Sequence, residues 1–199
     1  MPGMLIAFEG IDGSGKSTIA RMVYKELLSH GVRCEFTVEP TDKSLGVAIR
    51  RELANNSEKL HAMTLQILFT ADRSEHVVSF IRPKMEEGAV VITDRYYWST
   101  IAYGAALGLD MQWLTDMNSI FPKPDLTFWF RVSTSEAGRR SSQRHLKETM
   151  EVDSIQRKVA LAYALLSEKN ADSWRIIDAE KPIDDVMGQV MRHLNILVK

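Results

Sequence analysis

Short, uninterrupted apolar runs alternate along this chain with longer stretches whose apolar residues recur every three or four positions. The runs predict strands at Leu5 to Phe8, 33–38, Ala89 to Thr93, Leu126 to Val132 and Trp174 to Asp178. Between them the spacing predicts helices. The first carries Ile19, Val23 and Leu27 and closes at Gly31, and a short one spans 44–54. A longer one runs from Leu60 to Ile81, with Leu60, Met63, Ile67, Leu68 and Ala71 as its core stripe and Pro83 as its interruption. Further helices are predicted from Tyr96 to Ala106, Asp110 to Ile120 and Met150 to Ser167. A final helix shows Ile183, Val186, Val190, Leu194 and Leu197 on one face. Residues 134–147 are rich in Arg, Ser and Lys and read as a cationic segment without a packed face. Strand alternating with helix implies an α/β fold with a parallel sheet and right-handed crossovers.

The first strand ends in chemistry. Gly10 opens G-x-x-x-x-G-K-S (Gly10, Ile11, Asp12, Gly13, Ser14, Gly15, Lys16, Ser17), followed by Thr18 at the start of a helix. Glycines let successive backbone N–H groups face a phosphate, and the helix N-terminus adds its dipole. Lys16 is placed to reach the β- and γ-oxygens of a nucleotide, and the Ser17 hydroxyl to ligate Mg²⁺. The strand-then-helix context makes this a nucleoside triphosphate site.

Composition narrows the partners. With 199 residues the chain suits one domain, and 45% hydrophobic with 26% charged residues is ordinary for a soluble protein. A net charge of -1 argues against a nucleic-acid surface, and no apolar run is long enough to cross a bilayer. Cys34 is the single cysteine, so neither a disulfide within the chain nor a Cys/His zinc cluster is expected. The start of the chain shows no signal pattern, and a cytoplasmic location is expected.

Three polar groups fall where ligands bind in open α/β sheets, at the carboxyl edge. Asp94 follows an apolar strand and can hold Mg²⁺ or cap the next helix. Arg95, Ser99 and Tyr103 follow at four-residue spacing, on one helix face. Gln66, Phe69 and Arg73 form another face, which either stacks on and bonds a base or is a packed Phe beside an arginine paired with Glu75 or Asp72. Arg50 and the run Arg139, Arg140, Arg144 and Lys147 can neutralise transferring phosphate or form a solvated face. The absence of N-K-x-D weakens a GTPase reading.

Taken in order, these stretches resemble the thymidylate kinase family over nearly the whole chain. The matching segments are Phe8-Glu-Gly-Ile-Asp-Gly-Ser-Gly-Lys-Ser-Thr18, Glu39-Pro40 with Gly46 and Ile49-Arg50, and Leu68-Phe-Thr-Ala-Asp-Arg-Ser-Glu-His76. Asp94-Arg-Tyr with Ser99 and Ala102-Tyr103, Pro124-Asp-Leu-Thr127 and Ile177-Asp-Ala179 complete the set. The resemblance implies a single P-loop domain (1–199), a three-layer sandwich. Its five-stranded parallel sheet would have order 2-3-1-4-5, with a lid at 134–149. It implies transfer of the γ-phosphoryl of ATP, with Mg²⁺, to dTMP, and a homodimer. Asp12 would hold the sugar 3′-hydroxyl, Phe69 would stack on thymine and Arg73 would bond the base edge. Arg50 and Arg95 would grip the acceptor phosphate, with Glu39, Ser99 and Thr100 also at the acceptor. Tyr103 would disfavour a 2′-hydroxyl. Ser17 and Asp94 would serve the metal.

Departures from the family pattern are equally specific. Ser14 stands where some members place arginine, so a lid arginine, Arg139 or Arg144, is expected to act in catalysis. Val38, Gly104 and Arg131 replace arginine, glutamine and aspartate of the family pattern. The first two bear on the acceptor base. A kinase of the same fold acting on dUMP, UMP or CMP, or a nucleotide-binding module with little turnover, are the alternative readings.

Overall fold

The computed structural model describes residues 3–54, 60–142 and 150–194. Five parallel strands, β1 (Met4–Glu9), β2 (Cys34–Val38), β3 (Val90–Asp94), β4 (Leu126–Arg131) and β5 (Trp174–Asp178), pair in the order β2-β3-β1-β4-β5. This is the order the sequence implied. β1 lies in the middle, with Phe8 opposite Asp94 of β3 and Glu9 opposite Trp129 of β4. From Leu5 to Glu9 it is wholly buried, as an inner strand covered by helices on both faces should be. Phe8, Phe128 and Phe130 pack ring to ring along the sheet, with centroids 5.3 and 5.6 Å apart.

The helices are α1 (Lys16–Ser29), α2 (Ser44–Ala54), α3 (Ala62–His76), α4 (Arg82–Glu86) and α5 (Tyr97–Ala106). After them come α6 (Met111–Asn118), α7 (Thr134–Ser142), α8 (Met150–Lys169) and α9 (Ile183–Leu194). α1 buries Ile19, Val23 and Leu27 as its spacing predicts. α9 buries Val186, Val190 and Leu194, whereas Ile183 is half exposed and Leu197 lies outside the described residues. Among the described residues no helix is long and apolar enough to cross a membrane.

Three expectations are corrected. First, most of the stripe assigned to the core of the 60–81 helix faces outward: Met63 is 44% and Ile67 46% exposed, Leu60 is exposed beside them, and Leu68 and Ala71 are only partly buried. The buried face of α3 is polar, with Gln66, Asp72, Arg73 and His76. Asp72, Arg73 and His76 find partners across the interface, which is the condition for burying polar groups. Asp72 accepts from the Thr41 amide (2.7 Å) and hydroxyl (2.6 Å), and Arg73 and His76 share Glu39. Second, Pro83 does not interrupt the helix. A π-helical turn, Val77–Ile81, carries α3 directly into α4, and Pro83 sits in the first turn of α4, directly after that π turn. Third, 134–142 is a helix. The Ser133 carbonyl accepts the Ala137 amide, Glu136 pairs with Arg139 and Arg140 one turn on, and Ala137 is buried. The rest of the expected lid, 143–149 with Arg144 and Lys147, lies outside the described residues.

Candidate active site

The carboxyl edge of β1 turns at Gly10, whose φ is 150°. A Cβ there would lie 2.9 Å from the Phe130 carbonyl oxygen, so the loop can leave the sheet this close to β4 only at glycine. Gly15, at φ 84°, precedes α1 without capping it by a side chain. The Thr18 and Ile19 amides donate to the Gly15 carbonyl, and the N–H groups ahead of them at the start of α1 are the ones placed for an anion. The Ser14 hydroxyl is buried without a partner beside them, a further donor with no internal use.

Lys16 opens α1 and is buried against the loop. Burial pushes its pKa down to about 8, and the charge of Arg95 acts in the same direction; Asp12, Asp94 and Glu9 pull it back. The ammonium is thus stored in a site short of negative charge, the state that a polyphosphate would relieve. Asp94 ends β3 with one carboxylate oxygen, Oδ1, buried and unpartnered.

Arg95 follows in the left-handed region, φ 70°, rare for a side-chain-bearing residue. Both its peptide groups are tied: its amide donates to the Phe8 carbonyl (2.9 Å) and its carbonyl accepts from the Thr93 hydroxyl (2.6 Å). Strain held this way sets the direction of the side chain. The guanidinium donates to Ser99 Oγ (3.0 Å), Asp12 Oδ1 (2.5 Å) and Tyr103 Oη (3.3 Å). Tyr103 in turn donates to Asp12 Oδ2 (3.4 Å), and burial pushes its phenol up to about 12. It stays a neutral hydroxyl at any working pH.

Behind this group lies Glu9, which sequence reasoning missed. Its carboxylate accepts from the Tyr96 amide (2.8 Å), the Ser99 hydroxyl (2.6 Å) and the Tyr163 hydroxyl (2.8 Å). Burial pushes its pKa up, against these bonds and the charge of Arg95. An acid closing an apolar strand was the available signal for Glu9. Tyr163, mid-helix among apolar neighbours, gave none.

A cavity opens from here between α3 and α5. Asp12, Arg95, Ser99 and Tyr103, bonded to one another, line it together with Leu53, Leu65, Phe69 and Leu107, and with Thr100, Gln66 and Pro40. Most candidate acceptor residues thus meet in one place. Arg73 and Glu39 do not line it. Arg73 is 1% exposed and donates through Nε to Glu39 (2.8 Å), through Nη1 to Asn118 Oδ1 (2.7 Å) and through Nη2 to Thr100 Oγ1 (3.1 Å). The pairings with Glu75 or Asp72 are therefore not made, and both residues form the wall behind Thr100 and Pro40. Arg50 bonds the carbonyls of Pro40 (2.6 Å) and Thr41 and the Asp42 carboxylate (2.8 Å), pinning the loop beside the cavity.

A second cavity lies on the other side of the phosphate loop, lined by Ser14, Gly15, Thr18, Arg140, Lys181 and Val186 among others. Of the arginines on α7 it is Arg140 that reaches it. Its Nη1 would be 3.9 Å from a Cβ on Gly15, and it donates to the Ala179 carbonyl (2.9 Å). Arg139, the candidate chosen from sequence, is paired with Glu136 and more exposed (62% against 27% for the side chains). Successive helix positions point about 100° apart, so only one of the two can face the loop.

The comparisons with known proteins agree with this geometry. The family model described as thymidylate kinase matches residues 8–190. A probable thymidylate kinase of Pyrococcus horikoshii is 39% identical over 196 residues, covering 96% of this chain and 95% of its own. That of Thermococcus kodakarensis is 36% identical, covering 98% of each chain. The thymidylate kinase of Desulfotalea psychrophila is 35% identical, covering 100% of this chain and 97% of its own. A match this long, through the phosphate loop and both cavities, means that the chain belongs to the thymidylate kinase family.

Proposed function

We propose that the protein transfers the γ-phosphoryl group of ATP to dTMP, giving dTDP and ADP. The observation that carries this reading is the cavity that joins Arg95 and Asp12 to Phe69, directly beside the phosphate loop. A nucleoside monophosphate has the same polarity: charged at the phosphate, polar at the sugar, flat and apolar at the base. ATP would enter from the Arg140 side, with its polyphosphate on the loop amides and Lys16.

Residues toward a metal fit. Among the described residues no group of three His, Cys, Asp or Glu could hold one by protein ligands alone. Mg²⁺ asks less, since it keeps waters and binds through one or two protein oxygens plus the nucleotide phosphates. Ser17, exposed at the first turn of α1, and the unpartnered Asp94 oxygen supply such a pair. When bound, the ion neutralises charge on the β- and γ-oxygens. The protein does the rest by position. Lys16 and the loop amides hold the γ-phosphoryl, Arg95 brings the acceptor phosphate into line, and Asp12 and Tyr103 fix the sugar. No strong base is required, because the attacking phosphate oxygen is already anionic. Glu9 acts through Ser99 and Tyr163, keeping the Arg95 guanidinium in place.

The test is ADP release from Mg·ATP with dTMP, dUMP, UMP, CMP or no acceptor. The expected result is fastest turnover with dTMP, slower with dUMP, and rejection of ribonucleotides through Tyr103. Preference for another monophosphate would overturn the base assignment, and release independent of acceptor would overturn the kinase reading.

A homodimer is the second part of the proposal. Met63, Ile67 and Val78 (62% exposed) make an apolar line along α3 and the π-turn, a face that charged residues would normally occupy. A second copy would cover it. Sedimentation equilibrium should return twice the 22.6 kDa chain mass, and Ile67→Glu should return the single mass. A wild-type protein at the single mass would exclude the dimer.

A further inference from the structure

We propose that Gln66 reads the acceptor base, bonding its Watson–Crick edge through the side-chain amide. The inference rests on the acceptor reading above and adds the residue that determines its specificity. Gln66 is 2% exposed, yet it lines the acceptor cavity beside Phe69, Thr100 and Tyr103. Its Oε1 is buried and has no hydrogen-bond partner. A carboxamide oxygen removed from water and left unbonded destabilises the empty protein, so such groups are rare unless something outside the chain bonds them. Here Gln66 lines the cavity, so turning the carboxamide about its last torsion brings an acceptor to a bound base.

Among the described residues, the other polar groups near this end offer no second acceptor–donor pair, Thr100 keeping only its own O–H to give. Arg73 is divided among Glu39, Asn118 and Thr100, and Thr100 Oγ1 accepts one of those bonds. Gln66 keeps an acceptor in reserve. Gly104 faces it with no side chain: a Cβ at that position would press first on Leu114 Cδ1, at 2.7 Å, and then on Gln66 Cγ, at 3.3 Å. The family pattern places glutamine at the position of Gly104, on α5. This chain has its amide on the facing helix α3 instead, opposite the glycine. A carboxamide presents an acceptor and a donor side by side. The imide edge of thymine presents N3–H beside a carbonyl, so two parallel hydrogen bonds form while Phe69, one turn further along α3, covers the ring face.

The test uses Gln66→Met, which keeps the length of the side chain and removes its hydrogen bonds. The acceptor is whichever monophosphate the wild type turns over best, together with its N3-methyl analogue, which cannot donate from N3. For dTMP the expected result is a loss of about tenfold in kcat/KM, carried by KM, with KM for ATP unchanged. Discrimination between dTMP and N3-methyl-dTMP should shrink by a similar factor in the variant. The thermal midpoint of the variant should stay level or rise, since the unbonded oxygen is gone. An unchanged KM for the acceptor, or equal discrimination against the N3-methyl analogue in both proteins, overturns the role of Gln66. A wild type that prefers dUMP or UMP overturns the acceptor base alone, because both carry the same N3–H and the variant comparison then runs on that acceptor; a preference for CMP, whose N3 carries no proton, overturns the imide reading as well.

Discussion

Lys16→Met lowers kcat for phosphoryl transfer by about 10²–10³-fold, the range for losing one preorganised donor to developing charge. The more diagnostic result is the pH profile of the wild type. In the free enzyme burial, helped by Arg95, brings the Lys16 pKa down to about 8. The cationic form that attracts the triphosphate is therefore half lost near that pH. kcat/KM for ATP should fall above about pH 8, while kcat at saturating ATP holds to higher pH because bound phosphate restores the preference for the charged form. Lys16→Met should lack this limb. A wild-type kcat/KM that is flat from pH 7 to 9.5 would show that Lys16 keeps its proton there, and the account of a stored, underpaired cation would fail. Stability follows with a definite sign. The unfolded lysine titrates near its ordinary value of 10.5, above the folded value, so the folded state carries a penalty below pH 8 of about 3 kcal/mol. That penalty is relieved as pH rises from about 8 to 10.5. Lys16→Met should accordingly unfold no more easily than wild type at pH 7 while losing its chemistry.

The strands and the phosphate loop were legible because each rests on local chemistry. An apolar run that stops at Gly10 and meets Gly-Lys-Ser can do little else, whereas the strand order was implied by the resemblance to the family and not by any local pattern. The α3 helix was read with the wrong face inward for an equally physical reason. Periodicity locates a stripe of apolar side chains but does not say whether the chain itself or another surface covers it. Here Met63 and Ile67 face out, and the polar face is buried because Thr41, Glu39 and Asn118, distant in sequence, meet its hydrogen bonds. The same limit applied to residues 134–142. Few of them are apolar, yet Ser133 and the Glu136 pairs suffice to hold a helix on one buried alanine. Its register, invisible in composition, selects Arg140 over Arg139 for the phosphate loop. Asp12, Phe69, Arg95, Ser99, Thr100 and Tyr103, singled out by type, spacing or resemblance, line one cavity. Arg73 was singled out too, but its donors are spent inside the wall.

That wall carries the largest expected stability effect. Arg73→Met should destabilise the protein by about 3–5 kcal/mol, measured by urea unfolding, although the methionine fills most of the space. The reason is what remains. Glu39 is 3% exposed, and Arg73 gives it two contacts of 2.8 Å, the second shared with the bond to Thr100. Without them, among the described residues, only His76 Nδ1, at 2.9 Å, is still hydrogen-bonded to its carboxylate. The partners Asn118 and Thr100 lose their donor in the same step. Adding Glu39→Gln to Arg73→Met should recover part of the loss, since the uncompensated charge is removed, and the pair should depart from additivity as contacting residues do. A single-variant loss below about 1 kcal/mol would mean that water or a rearranged His76 takes over the carboxylate. The network also connects to function through geometry. Thr41, held by Asp72, and Glu39, held by Arg73, flank Pro40, which forms one side of the acceptor cavity. Thr100, bonded to Arg73, forms the other. Arg73→Met should therefore raise KM for the acceptor more than KM for ATP even at temperatures where the variant is fully folded, because the acceptor cavity shares this wall and the Arg140 cavity does not.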